Sequence, residues 1–481
     1  MMDASDNQID GLRLLLSGKL MEGADTVDVE NPSTNTLLAK APQASHAQLD
    51  NAIAAATRVS DWKQDDALRR ATLRAMSEIM SANRDSLALT LSLEIGLPFK
   101  VAQDEISASA TFLLYRAETE APLDVLHDDA RQRVEVVRKP IGVVGAIIPW
   151  NAPMLIACEK IATAFAVGNT VVMKPSPLAP LTLLQFGELV SDAVPPGVLS
   201  ILPGGAELGA ALVAHPQVGM ISFTGSIRAG QAIMVNAAPG LKRLSLELGG
   251  NDAAIVLPDA DIDSVAPRLF MGAFYRSGQV CAAIKRLYVH RDIAASLIEA
   301  LRNVAETAVL GDPFDPAVTF GPLSNRQQFE IVKGLVDTAV SQGGSVATGG
   351  SPLNRPGNFF PPTLVTDVDE SNPLVQQEQF GPALPILSYD SIDDAVDRAN
   401  STQFGLGGSV WTSDVDAGTA VVRRIQSGSV WVNRHGLVLP DTPFGGMKLS
   451  GLGRANGNVG FDSYAELQTV SVAKPREAKS R

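Results

Sequence analysis

Short runs of branched apolar residues alternate with longer amphipathic stretches through the middle of this chain. Between Ile141 and Leu248 the runs are Gly142 to Ile148, Thr170 to Lys174, Leu199 to Leu202, Val218 to Thr224 and Arg243 to Glu247. Compact apolar segments of this kind, bounded by Gly, Pro and Asn, predict buried strands. The intervening stretches Leu181 to Ala193 and Glu207 to Ala214 predict helices, and each exits at a proline-containing turn that stops a helix. Strands and helices in strict alternation predict a parallel sheet covered on both faces, an α/β nucleotide-binding architecture.

A second α/β pattern follows Gly250. It predicts a helix from about Ser264 to Tyr275, a loop around Cys281, a strand near Leu287 to His290 and a long helix from Ala294 to Val309. Another apolar helix, Met154 to Val167, contains Cys158, which reads as a core thiol. Between Ala121 and Lys139 polar and apolar residues alternate, as in an exposed hairpin strand. An edge of that kind invites pairing with another strand.

Length and composition narrow the class. With 481 residues, 45% hydrophobic and 19% charged, and a mean hydropathy of +0.11, the chain is too long for one core. No apolar stretch approaches the ~20 residues of a membrane helix. A net charge of −13 and pI near 4.9 disfavour nucleic acid and anionic membranes as partners. The start Met1-Met2-Asp3-Ala4-Ser5-Asp6 lacks the basic-then-apolar order of an export signal, so a cytoplasmic location is expected. The two cysteines, Cys158 and Cys281, lack metal-ligand spacing, and neither a metal site nor a disulfide is expected.

Three segments carry candidate chemistry. Cys281 lies in Gly278-Gln279-Val280-Cys281-Ala282-Ala283, a break between helix and strand where a thiol is presented as a nucleophile. Glu247 lies in the apolar context Leu246-Glu247-Leu248-Gly249-Gly250-Asn251, which raises a carboxyl group towards the range of a general base. Asn151 is held between Pro149 and Pro153, a rigid setting for an amide donor facing an oxyanion. Taken singly, a buried structural thiol, an ion-paired glutamate and a turn asparagine account for them equally well.

Together with Lys174-Pro175-Ser176, Phe223-Thr224-Gly225-Ser226, Glu378-Gln379-Phe380-Gly381-Pro382 and Pro443-Phe444-Gly445-Gly446, these segments give seven motifs in one order. In that order and spacing the chain resembles the aldehyde dehydrogenase superfamily. The resemblance implies a Rossmann-like cofactor-binding domain from residues 1–120 and 141–249, and a catalytic α/β domain over 250–448. It also implies a small β oligomerisation hairpin from 121–140 with 464–481, and hence a homodimer or homotetramer.

The resemblance further implies NAD(P)-dependent oxidation of an aldehyde to its acid, with Cys281 as nucleophile, Glu247 as base for a hydrolytic water and Asn151 as oxyanion donor. Cofactor contacts are implied at Ile148, Trp150, Lys174, Ser176, Gly225, Ser226, Gly249, Glu378 and Phe380. Pro177 stands where many NAD-dependent members carry a ribose-binding glutamate, so NAD is favoured and NADP left open. Ala152, Leu155, Ile156, Glu159, Tyr275, Val280, Ala282, Leu437 and Val438 are implied at the substrate mouth. Most are small or aliphatic, which predicts a roomy apolar entrance for an aromatic or branched aldehyde. No arginine cluster is visible in that set, although Arg276 and Arg434 are close in sequence. His435 is given no role. A cofactor-free cysteine hydrolase and a non-catalytic structural protein are the competing readings.

Overall fold

The computed structural model describes residues 9 and 11–475 and shows a mixed α/β fold with two large, mainly parallel sheets. The acidic N-terminal residues read above for export lie outside the described residues, as does the end of the 464–481 segment.

The first sheet runs in the order Gly451–Leu452, Arg243–Glu247, Val218–Thr224, Val143–Ile147, Thr170–Lys174, Leu199–Ile201, Leu14–Leu16, Lys19–Met21. Its five central strands are parallel and nearly fully buried. Burial on both faces explains why Val143–Ile147 and Thr170–Lys174 read as apolar runs, whereas Arg243–Glu247 alternates apolar with polar residues and starts exposed. Helices Pro153–Val167 and Leu181–Val190 connect them, and Cys158 is wholly inside, as the apolar helix predicts. The second of these helices stops three residues short of the predicted Ala193, at a polar turn containing Ser191 and Asp192.

Gly249 and Gly250 carry the chain from the first sheet into the second, whose order is Ser345–Thr348, Thr363–Thr366, Ala383–Tyr389, Ile284–His290, Asp252–Val256, Gly407–Trp411, Ser429–Val432. The strand expected at Leu287 begins earlier, at Ile284, because Lys285 and Arg286 are themselves buried, 1% and 2% exposed. Two consecutive charges read as loop in a sequence; here buried carbonyl and carboxylate oxygens accept their hydrogen bonds. The following helix is Arg291–Glu306, displaced towards the N-terminus because His290 caps it by accepting from the Asp292 amide.

Asp124–Asp128 and Gln132–Pro140 form the expected hairpin, and Ala465–Ala473 pairs antiparallel with Gln132–Pro140 along its whole length. Apart from Ala465, which is buried in the first core, this three-stranded ribbon is largely exposed, with Leu126, Leu467 and Val472 more than half exposed.

Candidate active site

The carboxyl ends of the parallel strands of the first sheet converge on the amino-terminal edge of the second. Crevices of that type are where open α/β sheets place ligands. Thr224 and Glu247 end neighbouring strands in direct register, and Gly225 donates its amide to the Glu247 carbonyl at 3.0 Å. Ser226 then caps helix Ile227–Ala237, its hydroxyl accepting from the Ala229 amide at 3.3 Å. The free first-turn amides of this helix point towards the crevice, a ready anion site.

A cavity of about 220 Å³ occupies the crevice and is lined by Trp150, Asn151, Gly225, Ser226, Glu247, Gly249, Cys281, Glu378 and Phe380 among others. All three predicted catalytic residues and six of the nine predicted cofactor residues therefore share one space. Trp150 and Phe380 meet edge to face with centroids 5.4 Å apart.

Ile148, Lys174 and Ser176 sit just behind it. Ile148 is 2% exposed and donates its amide to the Lys174 carbonyl. The Lys174 ammonium is turned to the carbonyls of Gly204 (2.8 Å) and Pro175 (3.0 Å), and burial lowers its pKa to about 8.

Glycines in the linking segment allow close approach, of backbone at Gly250 and of a side-chain end at Gly249. A Cβ on Gly249 would lie 2.1 Å from a Glu378 carboxylate oxygen, and one on Gly250 would lie 2.6 Å from the Cys281 carbonyl. The Glu378 carboxylate and the thiol loop are thus both packed onto bare backbone.

The loop carrying Cys281 is strained. Arg276, Ser277 and Gly278 are left-handed, with φ of 57°, 55° and 72°. For the first two this costs on the order of 1 kcal/mol each, and persists only where tertiary contacts enforce it. Arg276 supplies them: it pairs with Glu105 at 2.7 Å, both side chains nearly fully buried, and donates to the Asn151 carbonyl. Glu105 also accepts from the Met154 and Leu155 amides at the start of helix Pro153–Val167. Asn151 in turn donates its side-chain amide to the Gln279 carbonyl at 3.0 Å. Arg276 is therefore a brace within the protein and does not face the substrate mouth. The isolated sequence offered no sign of the pair, since Glu105 lies far upstream in helix Phe99–Glu118.

Electrostatically the Cys281 thiol and the Glu247 carboxyl are both shifted towards their neutral forms. Burial is the largest cause of the Cys281 shift, to about 12; the Lys285 ammonium opposes it, while Glu378 and Glu247 add to it. Burial also raises Glu247 well above the usual carboxylate range, with Glu159 adding and Lys160 and Arg454 opposing. Both carboxylate oxygens of Glu247 are buried without a hydrogen-bond partner. An unsatisfied, desolvated carboxyl beside a thiol is the pattern of a functional group rather than a structural one.

Lys285 is a further site residue that sequence reading missed. Its side chain is 2% exposed, and its ammonium donates to the carbonyls of Val280 (2.9 Å) and Cys281 while pairing with Glu378 at 3.3 Å.

A second cavity, of about 390 Å³, lies on the opposite side of the thiol loop and is lined by the chain neighbours of Cys281, Val280 and Ala282, with Tyr275, Met271, Trp411, Arg268 and Arg434. Three predicted mouth residues, Tyr275, Val280 and Ala282, line it. Ala152, Ile156 and Glu159 are half-buried at or along helix Pro153–Val167 and line neither cavity, and Val438 packs against the small cluster of Ala282, Leu406 and Phe444, as Cys281 does. His435 lies deeper than its loop position implied, bonded to Ser409 (2.9 Å) and facing Asp252 (3.4 Å).

Comparison with known proteins agrees with this geometry. The sequence model of the aldehyde dehydrogenase family matches residues 20–470. Phenylacetaldehyde dehydrogenase of Pseudomonas fluorescens is 37% identical, covering 98% of this chain and 99% of its own length. A chloroplastic betaine aldehyde dehydrogenase of Beta vulgaris is 36% identical with 92% of each covered. Among solved structures, an NAD+ complex of an aldehyde dehydrogenase from Bacillus cereus superposes with a TM-score of 0.93 at 33% identity, covering 96% of each chain. A thiol, an unsatisfied carboxyl and an amide donor gathered on one cavity, the two-sheet fold around them and similarity over nearly the whole length lead to one conclusion: the chain belongs to the aldehyde dehydrogenase family.

Proposed function

We propose that the protein oxidises an aldehyde to its carboxylic acid with a nicotinamide cofactor, through a covalent intermediate on Cys281. The observation that carries this is the convergence of Cys281, Glu247 and Asn151 on the cavity that also holds Ser226, Glu378 and Phe380.

The residues of that cavity fit a dinucleotide. Helix Ile227–Ala237 offers its amino terminus to a pyrophosphate, Glu378 faces the space as a ribose ligand, and Gly249 leaves room that any side chain would fill. When bound, the nicotinamide accepts the hydride released by the substrate carbon. NAD is the cofactor assigned. Pro177 in place of an acid removes the repulsion against a 2′-phosphate, so NADP is expected to turn over as well.

In the chemical steps, the Cys281 sulfur adds to the carbonyl carbon as its thiolate. The Asn151 side-chain amide, together with the Cys281 backbone amide, stabilises the oxyanion; each donor contributes on the order of 10²–10³ in rate. Loss of hydride restores the carbonyl as a thioester. Glu247, in its ionised form, takes a proton from water as the oxygen attacks the thioester carbon; the C–S bond breaks and the thiolate returns. The apolar walls around Tyr275, Val280 and Ala282 suit an aldehyde with a bulky aromatic or branched body. A homodimer or homotetramer joined through the exposed ribbon of Asp124–Asp128, Gln132–Pro140 and Ala465–Ala473 completes the reading, with domains divided at residues 120, 140, 249 and 448.

The test is absorbance of reduced nicotinamide across a panel of aldehydes, with NAD and NADP separately, repeated on Cys281→Ser. Reduction that requires both the aldehyde and Cys281 is expected. Nucleotide-independent ester cleavage in place of reduction would instead favour the hydrolase.

A further inference from the structure

We propose that the 390 Å³ cavity beyond the thiol loop receives the far end of an aldehyde that carries a carboxylate, with Arg434 as its counter-ion. This rests on the dehydrogenase reading above and adds the charge of the substrate to it.

The balance of charge singles this cavity out. The chain as a whole carries −13, yet two arginines and no acid line this space. The two arginines differ in availability. Arg268 is a fixed cation, donating to the Ser264 carbonyl (2.9 Å), the Ser264 hydroxyl (2.8 Å) and the Asn433 carbonyl (3.2 Å), and lying 5.5 Å from the Trp411 ring. Arg434 is exposed and, among the described residues, takes part in no ion pair and no side-chain hydrogen bond. His435 beside it is turned inward, to Ser409 (2.9 Å) and Asp252 (3.4 Å).

One guanidinium fork is therefore left unmatched over the cavity, and a planar fork binds a carboxylate through two parallel N–H bonds. Tyr275, Met271 and Trp411 supply apolar walls, which strengthen that attraction relative to open water, and Arg268 adds to the same field. The cavity also adjoins the thiol loop. Val280 and Ala282 line this cavity while Cys281 between them lines the other, so a substrate reaching the sulfur from here leaves its distal group among the arginines. The absence of an arginine cluster in the sequence is thereby corrected: Arg268 and Arg434 meet only in the fold.

The test is steady-state kinetics of the full-length enzyme with benzaldehyde, 4-carboxybenzaldehyde and 4-(trimethylammonio)benzaldehyde, three substrates alike in body and different in charge. The carboxylated aldehyde is expected to have a kcat/KM about tenfold above benzaldehyde at low salt, the size of one charge-assisted pairing. That advantage should shrink at about 0.5 M salt, and the cationic aldehyde should be the poorest of the three. Arg434→Gln should abolish the preference while Arg434→Lys, which keeps the charge, retains most of it. Equal kcat/KM for the charged and uncharged aldehydes, or a preference that survives Arg434→Gln, would overturn the inference and leave the dehydrogenase reading intact. No reduction with any aldehyde would overturn both.

Discussion

The ammonium of Lys285 stands 3.3 Å from a Glu378 carboxylate oxygen and donates on its other side to the carbonyl of Cys281. One buried cation thus ties the thiol loop to Glu378 on the same cavity. Its charge opposes the upward shift of the thiol, whereas that of Glu378 adds to it. Lys285→Met should therefore raise the pH at which Cys281 becomes reactive, by about one unit. Glu378→Gln should lower it. The rate of iodoacetamide alkylation as a function of pH, in enzyme free of cofactor, measures both; identical profiles in the three proteins would remove Lys285 from any part in thiol reactivity.

In the proposed mechanism Glu247 acts after hydride transfer, in thioester hydrolysis. Glu247→Gln should leave a first turnover of cofactor reduction visible as a burst and slow the steady state by about 10²–10⁴. Because burial raises the carboxyl's pKa, the wild-type steady-state rate should climb with pH through the titration of Glu247. Stopped-flow absorbance separates the phases, and a variant that lost burst and steady state together would assign Glu247 to an earlier step.

Gly249 has no room for a side chain, since a Cβ there would lie 2.1 Å from the Glu378 carboxylate. Gly249→Ala should push Glu378 off the cavity wall and weaken cofactor binding at least tenfold with the fold retained. Titration calorimetry with NAD gives the affinity and circular dichroism the fold. An unchanged dissociation constant would mean that Glu378 takes no part in holding the ribose.

Stability should fall as pH rises through the weakly acidic range. Glu94 is fully buried at the start of helix Leu181–Val190, accepting from the Thr182 amide and hydroxyl, and burial raises its pKa from 4.5 to about 7. Between those values the folded chain holds a proton that the unfolded chain has released, so the contribution is complete below 4.5 and is lost on passing 7. Glu159, Glu247 and Glu378 are shifted the same way by burial. The urea midpoint should decline from about pH 5 to pH 8, and Glu94→Gln should make that decline shallower. A midpoint that rose over this range would contradict the assignment.

Much of the fold was written locally. Strands Thr170–Lys174, Val218–Thr224 and Arg243–Glu247 coincide with the predicted runs; the first is buried throughout and reads as an apolar segment, whereas the last alternates apolar with polar residues and starts at an exposed Arg243. Cys281, Glu247 and Asn151 were legible too, since each sits in a short motif of restricted backbone shape. What tertiary structure decided is the partnership of charges. Lys285 and Arg286 break a strand pattern when read in sequence, yet they are core residues whose acceptors come from residues as distant as Glu378 and Ala399. Arg276, near enough in sequence to be a substrate contact, is withdrawn by Glu105, while Arg268 and Arg434 meet across a cavity that neither announces. Apolar burial follows a local period of two or 3.6 residues and can be read along a chain; a buried charge is tolerated only by partners brought from elsewhere, and those partners exist only once the chain has folded.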